Sequence, residues 1–240
     1  MTWITPAPRW DTLAGHVLDS FCEGIREAMP SYDFPLTLFG SAAIQLCYDE
    51  HFTSADVDLM VMAEGERLRS LATHLGLGRS GTVKASYGLQ ICPPQFFRTT
   101  PHYLQRACTE TRHGVTVVIP HVRDILLAKL HRSRVDRQEG LVPKDRRAFQ
   151  RVRELSGGRP NEADVIEDLR LCEPSLRVPG DGSVNSFRLN VLDLFSTIFG
   201  RPVDLELEIL RPAREAEVVR HGGQGPEIDD LISGLEPTRD

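Results

Sequence analysis

Apolar residues in the first part of the chain switch between the spacing of a helix and the spacing of a strand. Across residues 12–29 they recur about every 3.6 positions, which predicts an amphipathic helix. The apolar run Leu36–Phe39 predicts a short strand, and Ser41 is placed to cap a helix that follows it. Across residues 56–62 apolar and polar positions alternate, so we expect a strand with Asp56 and Asp58 on one face.

The rest of the pattern predicts more strands and then mainly helices. Residues 83–92 are expected to be extended, and the β-branched run Val115–Ile119 predicts a further strand. Asp124 is expected to cap a helix that continues to residue 130. Further helices are expected at residues 65–75, 103–108, 144–155, 162–171, 184–198 and 205–219. This order predicts an α+β fold, with a mixed β-sheet flanked by helices and followed by a helical C-terminal region.

A glycine-rich break offers the best domain boundary. Gly157 and Gly158, followed by Arg159-Pro160, interrupt the helical pattern. We therefore expect one domain over residues 1–156 and a helical region over residues 160–221. Residues 222–240 are expected to form a flexible tail.

Composition and charge exclude several classes of protein. The 240 residues carry a net charge of −6, so the surface is not uniformly basic and any anion site must be a local patch. The five cysteines are odd in number and scattered, which argues against a disulfide or zinc framework and fits a reducing cytoplasm. We find no secretion signal, and no apolar run approaches the roughly 18 residues that a membrane span requires. The sequence therefore predicts a cytoplasmic protein without a membrane partner.

Asp56 and Asp58 are the leading candidates for metal ligands. Two carboxylates one pleat apart repel each other unless a cation lies between them. Mg²⁺ prefers such hard oxygen ligands and keeps positions for water and phosphate oxygens. The alternative is a solvated pair of acids at the edge of a strand, which short carboxylate motifs often are.

Gly40-Ser41 strengthens the first interpretation. Glycine allows the backbone to approach a phosphate closely, and a serine at a helix N-terminus adds a hydroxyl to the free N–H groups there. The alternative is an ordinary turn from strand to helix with a serine cap.

The segment from Lys129 to Arg153 is rich in basic residues. Lys129 interrupts an apolar helix face, so it needs an anion or a route to solvent, and Arg132 lies one turn later on the same face. The arginines after residue 145 are interpreted instead as a solvated helix surface with ion pairs. Four aromatic residues are predicted to lie in the core or a pocket wall rather than to form a stacking platform: Tyr87, Phe96, Phe97 and Tyr103.

Together these motifs resemble a known family. In order, they are Gly40-Ser41, Asp56-Val-Asp58, the segment Ile125-Leu-Leu-Ala-Lys129-Leu130, and Lys144-Asp145. This order is similar to that of the AbiEii-like nucleotidyltransferases, which belong to the DNA polymerase beta-type superfamily. Many members, including the MenT group, are toxins of toxin–antitoxin systems. The resemblance spans about residues 36–155.

The resemblance implies a role for each matching residue. Asp56 and Asp58 would hold Mg²⁺ or Mn²⁺, and Lys129 would bind the phosphates of a nucleoside triphosphate. Asp145 would orient Lys129 or a neighbouring arginine, or assist the acceptor. The remaining nucleotide contacts are Gly40, Ser41, Arg132 and Lys144.

The chain departs from the family at the superfamily's third carboxylate, which commonly acts as the base for the acceptor hydroxyl. Residues 86–91 and Val115–Ile119, the strands that could carry it, contain no aspartate or glutamate. Gln90 occupies one plausible position for it.

Three hypotheses follow for the function. The first is a metal-dependent nucleotidyltransferase that transfers an NMP from an NTP to an RNA such as tRNA or to a protein, as the toxin partner of an antitoxin. The second is a degenerate, non-catalytic module that binds a nucleotide or a partner, because the third carboxylate is missing. The third is an enzyme that modifies a small molecule such as an antibiotic.

Overall fold

The fold was analysed in a computed structural model. It describes residues 6–52, 56–77, 88–131, 140–172 and 182–220. The sequence predictions for the tail and for Tyr87 and Arg132 lie outside the described residues. No helix within the described ranges is long and apolar enough to cross a membrane.

A five-stranded mixed sheet forms the centre of the fold, which confirms the predicted α+β class. The strands are β1 (Leu36–Phe39), β2 (Asp56–Val61), β3 (Gly88–Cys92), β4 (Cys108–Arg112) and β5 (Val115–Ile119). Their order across the sheet is β3-β2-β1-β5-β4. The central strand β1 runs antiparallel to β2 and parallel to β5. The outer pairs are parallel for β2 with β3 and antiparallel for β4 with β5.

Helices surround the sheet and continue beyond it. Those in the first part are α1 (Leu13–Ala28), α2 (Gly40–Cys47), α3 (Gly65–His74), α4 (Val122–Leu130) and α5 (Pro143–Leu155). The later ones are α6 (Glu162–Leu171), α7 (Gly182–Leu194) and α8 (Arg211–Arg220), with π-helical turns at Phe195–Phe199 and Glu206–Leu210. Short 3-10 helices occupy Pro94–Phe96 and Tyr103–Arg106.

The predicted first helix forms because a cap and an apolar face agree. The Thr12 hydroxyl accepts a hydrogen bond from the Gly15 N–H at the N-terminus of α1. Leu18, Phe21 and Ile25 then line one face and are fully buried, as their helical spacing predicts. This face packs against the sheet and α2, so it holds the sheet from the side opposite to the candidate carboxylates.

The two faces of the sheet have different chemistry. Leu38 pairs with Leu59, and both are fully buried in the hydrophobic core. Phe39 pairs with Asp58 on the other face, because directly opposite residues of neighbouring strands point to the same side. Asp56 lies two residues from Asp58 and therefore shares this second face.

The connection from β3 to β4 must pass over the sheet, because these two strands are its opposite edges. Phe97 in this connection packs on Phe39, with ring centroids 5.4 Å apart. The hydroxyls of Thr99 and Thr100 donate to the Asp124 carboxylate at 2.7 and 2.9 Å. The connection therefore crosses the face that carries the aspartates and is fastened at α4; residues 93–107 are called the crossing segment below.

A buried ion network holds α4 and α6 to the crossing segment. The Arg106 guanidinium donates to both oxygens of Asp124 at 2.5 and 2.9 Å and to Asp168 on α6 at 3.2 Å. Arg123 donates to both oxygens of Asp168 at 2.8 Å. Since both carboxylates are fully or nearly fully buried, the arginines supply the charge compensation that burial demands.

Several local predictions were wrong. Ser41 is not the cap of α2, because the helix already begins at Gly40 with Phe39 in the capping position. Asp124 lies in the first turn of α4, and His121 caps that helix by accepting from the Arg123 N–H. The strand β4 was not predicted at all, and the expected helix over residues 103–108 is a single 3-10 turn.

His131 follows the last residue of α4 and is partly buried. Its ring stacks on Phe187 with centroids 3.9 Å apart, and its Nε2 has no hydrogen-bond partner among the described residues. Burial, assisted by the nearby charge of Arg98, lowers the pKa of His131 from 6.5 to about 3. The imidazole is therefore neutral in the folded protein across the physiological range.

Acid is expected to destabilise the protein through His131. Between pH 6.5 and about pH 3 the unfolded histidine binds a proton that the folded one does not, so this stability is complete above pH 6.5 and is lost as the pH falls. The free energy of unfolding should fall by up to about 1.4 kcal/mol per pH unit within that window. Denaturant titrations from pH 7.5 to pH 4.5 on the wild type and on His131→Phe measure it. Equal slopes for the two proteins would contradict the assignment.

Candidate functional site

The predicted Gly-Ser turn and the predicted carboxylates meet at one end of β1 and β2. Gly40 follows Phe39 directly, and Phe39 lies opposite Asp58 in the ladder. Gly40 adopts a φ of +73°, in the left-handed region that favours glycine. A Cβ atom at this position would overlap the Asp58 carboxylate. The turn therefore reaches the carboxylate only because residue 40 has no side chain.

Ser41 is connected to two residues that lie far along the sequence. The Lys129 ammonium donates to the Ser41 hydroxyl oxygen at 3.0 Å and to Asp145 Oδ1 at 3.1 Å. Ser41 is the second residue of α2, Lys129 lies in the last turn of α4, and Asp145 lies in the first turn of α5. The three side chains are 2%, 3% and 0% exposed, so this is a buried polar cluster.

Burial sets the energetics of the cluster. The Lys129 side chain does not reach solvent. Its apolar surroundings predicted either a route to solvent or an anion partner, and the structure has the second, with the ammonium paired with a carboxylate. Asp145 lies at the N-terminal end of α5, where the helix dipole favours a negative charge. A charge-assisted hydrogen bond in such surroundings is geometrically specific, so the pair fixes where Ser41 can lie.

The donor set at Asp56 and Asp58 fits a hard cation. Both side chains are partly buried on the same face, next to the Gly40 turn. Two carboxylates suit Mg²⁺, which completes its coordination with water and substrate oxygens. Within the described ranges, no three histidine, cysteine, aspartate or glutamate side chains are grouped to hold a metal ion. The pair is thus suited to a metal ion that arrives with a phosphate ligand.

The position beside Asp58 on the neighbouring strand belongs to Gln90. Parallel pairing aligns Asp56 with Gly88 and Asp58 with Gln90. Gln90 therefore shares the face of the aspartates and contributes a neutral amide there. The register supports the departure inferred from the sequence, since β3 carries no acidic residue.

Cys92 shows the electrostatic effect of the aspartates. It follows Gln90 by two residues on β3, pairs with Met60 and is 3% exposed. Burial first, and then the negative charges of Asp58 and Asp56, raise the pKa of its thiol to about 11. The thiol stays protonated near neutral pH, so Cys92 is a poor nucleophile there.

The remaining basic residues that were singled out from the sequence differ in their burial and in their ion-pair partners. Lys144 is partly buried beside Asp145 in the first turn of α5. Arg146 binds Asp193 at 2.9 Å, and Arg151 binds Asp49 at 2.7 Å. The prediction that the later arginines form surface ion pairs is therefore confirmed for these two.

The aromatic residues beside the site were only partly predicted from the sequence. Phe97 is buried between Phe39 and Tyr103, as predicted for a core or pocket-wall residue. Phe96 was grouped with it but is 60% exposed, so that prediction was wrong. The two adjacent rings differ because a 3-10 turn ends at Phe96, and no apolar periodicity in the sequence marks this turn.

Comparisons with known proteins identify no family or function for this site. A scan against protein-family models and searches of curated proteins and of solved structures gave no match to this chain. The functional interpretation therefore depends on the residues and contacts of the site.

Proposed function

We propose that this chain is a metal-dependent nucleotidyltransferase of the DNA polymerase beta type, similar to the AbiEii-like enzymes. One observation carries the proposal: the buried ammonium of Lys129 joins Ser41 to Asp145 next to the turn where Gly40 touches Asp58. Four separate sequence motifs thus contribute to one small volume. An arrangement of this kind provides both anion and cation binding, as a metal–triphosphate complex requires.

Different residues would bind different parts of the metal–nucleotide complex. Asp56 and Asp58 would hold Mg²⁺ or Mn²⁺, which would neutralise phosphate charge as the bond breaks. Because Lys129 donates to the Ser41 oxygen, the Ser41 hydroxyl proton must point to another acceptor, and a phosphate oxygen is well suited. The N–H groups at the start of α2 add further donors for the phosphates.

The transfer step is an in-line displacement. An acceptor hydroxyl oxygen attacks the α-phosphorus, the bond from that phosphorus to the bridging oxygen breaks, and pyrophosphate leaves. The hydroxyl proton passes from the acceptor to solvent water, because Gln90 offers no carboxylate to take it. We therefore expect slow turnover, with an RNA such as tRNA or a protein hydroxyl as acceptor.

Label transfer tests this proposal. The protein is incubated with Mg²⁺, tRNA and each NTP labelled at the α-phosphate, as wild type and as Asp58→Asn. Loss of one carboxylate should reduce transfer at least about 100-fold, because metal-assisted charge stabilisation contributes several kcal/mol. Asp19→Asn, which changes a partly buried carboxylate on α1 that binds Arg112, serves as the matched control. Transfer that survives Asp58→Asn would exclude this site.

A non-catalytic nucleotide-binding module is the second candidate, and the Gln90 amide beside Asp58 favours it. Calorimetry separates the two. An affinity for nucleotide that is the same with and without Mg²⁺, together with no turnover on RNA or protein, would favour the binding module. A toxin role further predicts growth arrest on expression that a cognate antitoxin protein relieves.

A further inference from the structure

The crossing segment presents an exposed surface next to the candidate site. Phe96 and Leu104 are each 60% exposed, and Arg98 and His102 are also exposed. Buried residues between them, chiefly Phe97 and Thr100, fix the segment to the body of the protein. The exposed side chains therefore project from a fastened backbone.

Charge distinguishes this segment from the rest of the chain. The protein has a net charge of −6, yet residues 93–107 contain Arg98, His102 and Arg106 and no acidic residue. Arg106 is committed to Asp124 and Asp168. Arg98 makes no hydrogen bond or ion pair with any residue in the described ranges. An exposed aromatic ring thus lies two residues from a guanidinium that is paired with no carboxylate of the described part of the chain.

The surface lies beside the carboxylates rather than at a distant part of the fold. Phe97 packs on Phe39, and Phe39 is the ladder partner of Asp58. Phe96 precedes Phe97, so its backbone is about 3.8 Å further along the chain. The turn Pro94–Phe96 also contacts β2, the strand that carries both aspartates.

Resting on the nucleotidyltransferase activity proposed above, we infer that Phe96 and Arg98 bind an unpaired stretch of a nucleic-acid acceptor. A base stacks on the Phe96 ring, and Arg98 binds a backbone phosphate. Exposed aromatic rings beside cations are the usual means of holding single strands, because each base offers a π-face and each nucleotide a negative charge. A protein partner would instead be anchored by apolar side chains in a desolvated pocket.

Binding of a short, unstructured RNA measures this surface directly. Fluorescence anisotropy is recorded for a labelled 12-nucleotide single strand without NTP or Mg²⁺. Phe96→Ala should weaken binding about tenfold, the typical effect of removing one stacking ring. Arg98→Ala should weaken it as well and reduce the slope of log K against log salt by about 0.7.

Two matched controls accompany these variants. Phe34→Ala removes another exposed phenylalanine, 41% exposed and placed before the start of β1, at the end remote from Gly40. Arg147→Ala removes an exposed arginine on α5. Both should bind the RNA like the wild type. A wild type that does not bind the strand, or a Phe96→Ala variant that binds equally well, would overturn the inference.

The assays separate this inference from the proposed activity. If RNA binding depends on Phe96 but no label is transferred to any acceptor, the proposed activity is contradicted and the inferred binding surface stands. If label transfer to RNA is unchanged by Phe96→Ala, the inferred binding surface is overturned and the proposed activity stands. Calorimetric binding of NTP with Mg²⁺ should be unchanged in Phe96→Ala, because Phe96 is assigned to the acceptor and not to the nucleotide.

Discussion

Asp145→Ala is expected to lower the free energy of unfolding by about 3–5 kcal/mol. The carboxylate is fully buried and receives the Lys129 ammonium at 3.1 Å. Removing it takes away a negative charge that binds the buried Lys129 ammonium, and the neutral Ser41 hydroxyl does not replace that charge. Urea denaturation followed by circular dichroism at pH 7.5 measures the loss.

A control on the same helix tests whether burial is the cause. Glu154 pairs with Arg151 near the end of α5, but its side chain is 63% exposed. Glu154→Ala should therefore cost less than about 0.5 kcal/mol. The double variant Asp145→Ala/Lys129→Met should be more stable than Asp145→Ala alone, because the buried ammonium is removed together with the carboxylate that binds it. Equal losses for Asp145→Ala and Glu154→Ala would refute the buried pair.

Gly40→Ala is expected to abolish metal-dependent nucleotide binding while the protein still folds. A methyl group at residue 40 would occupy the space of the Asp58 carboxylate, which must rotate away from its position. Because that carboxylate ends a flexible side chain, the fold can accommodate the change, but the proposed metal ligand is displaced. We expect calorimetric affinity for NTP with Mg²⁺ to fall at least about 100-fold, in line with loss of a metal ligand.

Gly200→Ala controls for backbone strain. Gly200 has a φ of +72°, almost the same as Gly40, but a Cβ there would meet no atom within 4 Å. Both variants should lose a similar stability of about 1–2 kcal/mol, since an alanine is strained in this region. Only Gly40→Ala should lose nucleotide binding. Loss in both variants, or in neither, would show that contact with Asp58 is not the cause.

Local sequence signals were sufficient for one half of the candidate site. The strand β1, the Gly40 turn and the alternation in β2 depend on neighbouring residues, so periodicity located them. The ends of α2 and α4 were less accessible to this reasoning. From sequence alone, a hydroxyl or carboxylate near the start of a helix fits the capping position and the first turn equally well. Ser41 and Asp124 were therefore assigned as caps incorrectly.

The strand β4 shows why other features could not be predicted. Its sequence Cys-Thr-Glu-Thr-Arg has no apolar alternation, and it forms a strand because β5 offers a pairing edge. The contact of Lys129 with Ser41 likewise requires α2 and α4 to pack together. Family resemblance placed both residues in one site, but only the packing of these helices gives the direct hydrogen bond.

The span between Ser41 and Lys129 also has a consequence for synthesis of the protein. The two residues are 88 positions apart. At about 5–20 residues per second, a ribosome needs roughly 4–18 s to make the second after the first. The turn and the aspartates thus leave the ribosome well before the lysine and Asp145. A chain released during that interval lacks Lys129 and Asp145, so it cannot assemble the buried cluster.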